Sequence, residues 1–140
     1  MREILFRGKC VDNGEWVYGY YYKAKYYRTD EELCDYITVP HPDKENAPSD
    51  HFMVEEKTVG QCTGLKDKND KRIFEGDIIA GAVQWQNEKK NGYVDFRDGS
   101  FGLIWQRGNI EHFYPFTSMC NIEYEVIGDI YDNPELLEAE

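Results

Sequence analysis

Ile4-Leu5-Phe6-Arg7-Gly8-Lys9-Cys10-Val11-Asp12-Asn13-Gly14-Glu15-Trp16-Val17-Tyr18-Gly19-Tyr20-Tyr21-Tyr22 is the stretch on which the fold turns. Two segments rich in strand formers flank Asn13-Gly14, a dipeptide that favours tight hairpin turns because both residues tolerate positive φ. The spacing predicts a β-hairpin of residues 4–11 and 15–22. Strand alternation puts Trp16, Tyr18, Tyr20 and Tyr22 on one face and Val17, Gly19 and Tyr21 on the other. One of these faces must pack, because an isolated hairpin is marginal in water.

Working outward, residues 29–35 carry a short helix signal, with Thr29 and Glu32 at capping-box spacing and acidic residues at the first turn. Tyr36-Ile37-Thr38-Val39 reads as a strand. Pro40, Pro42 and Pro48 mark a loop over 40–51, since proline cannot donate a ladder hydrogen bond. That loop divides an N-terminal β-hairpin region, 1–52, from a C-terminal β-barrel-like domain, 53–140, the two expected to pack as one unit. Strand candidates in the second part are 77–86, 92–97, 100–105, 110–114 and 122–131, with turns at 87–92, Asp98-Gly99 and 107–109. The chain closes on Asn133-Pro134-Glu135-Leu136-Leu137, a helical turn with proline at its first position. The expected fold is mostly β: a hairpin piece, then a five-stranded SH3-like barrel or curled antiparallel sheet, then a short helical turn.

The chain has 140 residues, enough for a core without disulfides or metal. Eleven tyrosines lean the composition towards sheet. The net charge of −11 disfavours a generic nucleic-acid binder or an anionic membrane surface as partner. The charge is uneven, however: residues 1–29 sum to +3 and residues 30–57 to −7. No apolar run is long enough to span a bilayer and no signal h-region is present, so a cytoplasmic location is expected. Cys10, Cys34, Cys62 and Cys120 form no C-x-x-C pair, and packed thiols are expected.

Three stretches resemble the YopX family of bacteriophage proteins. They are Arg2–Lys9 with Gly14–Tyr20, Thr58–Asn69 with Ile73–Ile79, and Tyr124–Leu137. Family members often have glycine where this chain has Asp70, and aspartate also tolerates the left-handed region. The resemblance implies a phage- or prophage-encoded protein. It brings no established activity and no catalytic residues.

Candidate chemistry is sparse. His41 and His51 with Asp43 or Asp50 fit no standard zinc spacing, so no metal is assigned. Cys62 with His112 would need a lowered thiol pKa and a positioned base, and neither is visible. Glu75 and Asp77 flank Gly76 and read as an outward acidic pair at a strand entrance. No catalytic residue and no cofactor is assigned. The strongest candidate is an interaction surface of Tyr18, Tyr20, Tyr22, Lys23, Lys25, Tyr26, Tyr27 and Arg28. Rings interleaved with cations suit single-strand nucleic acid, and tyrosines also anchor protein interfaces. The expected function is a non-enzymatic accessory protein that acts on a host or phage protein or assembles with itself. A single-strand-binding module and an acidic inhibitor that mimics DNA are the alternatives.

Overall fold

A computed structural model describes residues 4–25, 32–40, 49–85, 88–116 and 124–137, which form two antiparallel sheets with no helix beyond short 3₁₀ turns. The chain divides into two compact units, 1–62 and 63–140. No helix among the described residues is long and apolar enough to cross a membrane.

In the first unit, β1 (Phe6–Lys9) and β2 (Trp16–Lys25) make the expected hairpin, from Phe6 opposite Gly19 to Lys9 opposite Trp16. Its turn is wider than two residues. The Cys10 and Gly14 amides donate to the Glu15 and Cys10 carbonyls, and Asn13 Oδ1 accepts from the Glu15 amide. Next to β2 lies β3 (Leu33–Val39), and next to β3 lies β4 (Asp50–Val54). A 3₁₀ turn, Glu56–Thr58, leads into β5 (Gly60–Lys66), whose first residues pair with β1. The strand order is β4-β3-β2-β1-β5.

The sheet curls so far that its outer strand meets the end of β1. The Glu55 amide donates to the Lys9 carbonyl at 2.9 Å, and the Val11 amide to the Met53 carbonyl at 3.0 Å. The concave side holds buried Ile37, Val54 and Cys10, and the Phe6 ring lies 5.5 Å from that of Tyr21. Gly19 is required by this curl, because a Cβ there would sit 2.1 Å from the Thr38 carbonyl oxygen.

The expected helix over 29–35 is corrected in part: Leu33–Asp35 belong to β3, while 29–31 lie outside the described residues. Pairing with β2 down to Lys25 opposite Leu33 gives these backbones their hydrogen bonds, and the alternation of Asp35 and Ile37 inward matches a strand.

In the second unit, the end of β5 is hydrogen-bonded to β6 (Arg72–Phe74). A five-stranded sheet follows, built from β7 (Asp77–Trp85), β8 (Glu88–Arg97), β9 (Ser100–Arg107), β10 (Ile110–Pro115) and β11 (Val126–Asp129). Its order is β10-β9-β8-β7-β11, and it is a curled sheet that does not close into a barrel. The core is Ile73, Ile79, Val94, Leu103 and Trp105, with Tyr114, Phe116, Tyr124 and Val126 packed against it. Asp98-Gly99 forms the expected two-residue turn between β8 and β9. Asn91-Gly92, expected in a turn, lies inside β8. Gly92 pairs with Ile79 and comes within reach of the Ile104 carbonyl, so it marks a close backbone approach. The terminal 3₁₀ turn, Pro134–Leu137, is held to β8 by the Asn91 side-chain amide, which donates to the Leu136 carbonyl at 2.9 Å.

Candidate interaction surface

Strand registers fix which side chains meet. Across the convex face of the first sheet, Tyr18 stands opposite Arg7, Tyr20 opposite Thr38, and Tyr22 opposite Tyr36. Thr38 in turn stands opposite His51, and Tyr36 opposite Met53. The period of two therefore collects Trp16, Tyr18, Tyr20 and Tyr22 with Tyr36 and His51 on one side. Tyr18, Tyr20 and Tyr22 remain 46%, 52% and 36% exposed, so it is the opposite face, with Val17, Gly19 and Tyr21, that packs inward.

The face is internally braced. The Tyr22 and Tyr36 rings stack at 5.2 Å with 15° between their planes. Nδ1 of His51 lies 2.8 Å from the Tyr22 hydroxyl and 3.0 Å from Thr38 Oγ1, bridging β2, β3 and β4. At the other end the Arg7 guanidinium lies 4.3 Å over the Trp16 ring, and the Lys9 ammonium 5.5 Å from its centroid, both cation–π distances. None of the β1–β4 strand positions that alternate onto this face is Asp or Glu.

Lys23 and Lys25 alternate onto the opposite side of β2 from Tyr18, Tyr20 and Tyr22. Lys23 is engaged there, 3.1 Å from Glu56 and 3.5 Å from buried Asp35. The Tyr21 hydroxyl also donates to Asp35, and burial together with that bond pushes the phenol up to about 12. Lys25 stands exposed opposite Leu33. Tyr26, Tyr27 and Arg28 lie outside the described residues. The sequence thus foresaw the tyrosine row. It missed Tyr36, His51, Arg7 and Lys9, because long-range register carries no local signal; only Trp16 was legible, from its parity with Tyr18.

The remaining candidates take structural places. Asp77 is corrected: it is 1% exposed rather than outward, and its carboxylate accepts the Phe74 amide at 2.8 Å. His112 stacks on Trp105 at 4.4 Å, whereas Cys62 sits on β5. Cys10, Cys34 and Cys62 are free thiols, and burial pushes that of Cys10 up. His41, Asp43 and Cys120 lie outside the described residues. In the second unit a cleft of about 130 Å³ is lined by Lys90, Asn91, Tyr93, Ile104, Gln106 and Leu137. That is below the few hundred Å³ of ordinary small-molecule sites.

Two of the three blocks that carry the family resemblance hold turn devices at Asp67 and Asp129. Asp67 accepts the amides of Asn69, Lys71 and Val126. Asp129 accepts those of Tyr131 and Asp132, and Asn133 Oδ1 accepts that of Asp129.

The model of a family described as "YopX protein" matches residues 5–138. Nothing among the curated proteins matches the chain. The fold is similar to that in the crystal structure of protein EF1440 from Enterococcus faecalis. The two are 22% identical over 98% of this chain and 99% of that chain, with a TM-score of 0.52, a likeness of fold alone.

Proposed function

We propose that this chain, which belongs to the YopX family, is a non-enzymatic accessory protein that works by docking, with the convex face of the first sheet as its recognition surface. The observation that supports this is the exposure of Tyr18, Tyr20 and Tyr22 in consecutive same-face positions on a braced sheet. Large aromatic side chains left in water on a rigid scaffold are the usual anchors of protein interfaces. Tyrosine suits the role because its ring gives contact area and its hydroxyl stays satisfied before and after binding. Single-strand binding is the weaker alternative, since Lys23 and Lys25 alternate onto the other side of β2. The acidic-inhibitor alternative rests on net charge alone.

The test compares immobilised full-length chain with a variant carrying Tyr18→Thr, Tyr20→Thr and Tyr22→Thr, in which threonine keeps the strand propensity. Lys25→Ala, on the opposite side, is the control. Partners captured by the wild type and by Lys25→Ala, but lost from the triple variant at unchanged circular dichroism, support the proposal. Equal recovery by all three sinks it, as does a wild type that captures nothing and does not self-associate.

A further inference from the structure

We infer that the occupant of the tyrosine face is a second copy of this chain, an inference that rests on the docking proposal above. Charge selects the occupant. A chain of net charge −11 repels its copies at most approaches, and opposed carboxylates at a contact are strongly unfavourable. The convex β1–β4 face carries no Asp or Glu at its strand positions, whereas Asp35 and Asp50 alternate onto the other side. Two copies can therefore meet here without opposing acids.

The face is also self-complementary. Its cation is the half-buried Lys9 at the Trp16 end, where Arg7 is buried against the chain's own Trp16 ring, while the Tyr22, Tyr36 and His51 rings gather at the other. A two-fold axis that runs the two β2 strands antiparallel across the interface places Tyr20 at the axis. It also sets the cationic end of each copy against the aromatic end of its partner, a cation–π arrangement. Same-face side chains repeat every ~7 Å along a strand, so each tyrosine row leaves gaps that the partner's rings can enter. A single-stranded nucleic acid would profit from the same rings, but it would meet the long-range field of a −11 chain with only Lys9 and His51 as solvent-reaching basic strand residues on this face, Arg7 being buried.

Sedimentation equilibrium over about 1 μM to 1 mM chain at low and at about 0.3 M salt decides the matter. The expected result is a mass that doubles with concentration, with tighter association at the higher salt as the mutual repulsion is screened. Tyr20→Glu, which places two carboxylates at the axis, weakens the dimer at least ~100-fold at unchanged circular dichroism. Tyr20→Phe retains it. If Tyr20→Glu does not fold, the wild-type concentration and salt series still stands, and Tyr20→Thr replaces the charged variant. A wild type that stays monomeric at both salts overturns the inference. If the triple threonine variant nevertheless loses a captured protein, the docking proposal survives and only the occupant is wrong. A dimer indifferent to Tyr20→Glu assembles elsewhere and overturns it too. So does a monomer that binds oligothymidine with an affinity that falls as salt rises.

Discussion

Asp67 shows how a single acidic residue in this chain becomes structural. Burial by itself would raise its pKa, but the amides of Val126, Lys71 and Asn69 outweigh that and hold it below the ordinary aspartate value. One carboxylate thereby fixes the β5–β6 turn and ties down the start of β11. Neighbouring Asp70 takes φ +66°, the left-handed backbone that aspartate tolerates better than most residues. Asp67→Asn replaces one acceptor oxygen by a donor and leaves an amide unsatisfied, at a cost of about 1–3 kcal/mol at neutral pH. Because the folded pKa is depressed, this contribution is complete above the unfolded value near ~3.9 and is lost as pH falls through the folded value. Urea titrations of wild type and variant should therefore differ at pH 7 and converge in strong acid.

At the scale of elements, two glycines at two hairpins test different physics. Gly99, with φ +80°, closes the β8–β9 turn after Asp98 at φ +52°, and nothing lies within reach of a new Cβ there. Gly99→Ala should cost about 1–2 kcal/mol, the strain of a left-handed alanine alone. Gly19 sits mid-strand with negative φ, but its missing Cβ is where the Thr38 carbonyl oxygen lies. Gly19→Ala must spread β2 from β3 and should cost roughly 3 kcal/mol. Chemical denaturation of both variants checks the ranking, and a larger loss at Gly99 would contradict the curl inferred for the first sheet. The same curl is what turns the tyrosine row outward, since the concave side is already filled by Ile37, Val54, Phe6 and Tyr21.

For the whole molecule, the balance of charge outweighs any single ion pair. Surface pairs such as Arg97 with Glu111 and Lys66 with Asp70 are exposed, and each contributes little. The excess of acids acts collectively, favouring solubility and opposing compaction. Raising salt to about 0.3 M should lift the melting temperature by about 3 °C, on the order of 1 kcal/mol, measured near 1 μM chain where self-association does not contribute. A melting temperature that falls with salt would show that attractive pairs outweigh the net repulsion.

Local signals in the sequence settled the β class, the first hairpin, the Asp98-Gly99 turn and the closing proline-led turn, because each depends on neighbours a few residues apart. Alternation likewise put Tyr18, Tyr20 and Tyr22 on one face. Alternation alone leaves open which face is buried; the answer came from the curl that carries β4 to the end of β1. Register across strands distant in sequence brought Tyr36 and His51 beside Tyr22, and Arg7 and Lys9 over Trp16. It also set Asp67 under β11 and Asp77 in the interior, where a sequence reading saw an outward acid. Helix signal at Leu33–Asp35 yielded to strand pairing for the same reason: long-range hydrogen bonds and burial outweigh short-range propensity.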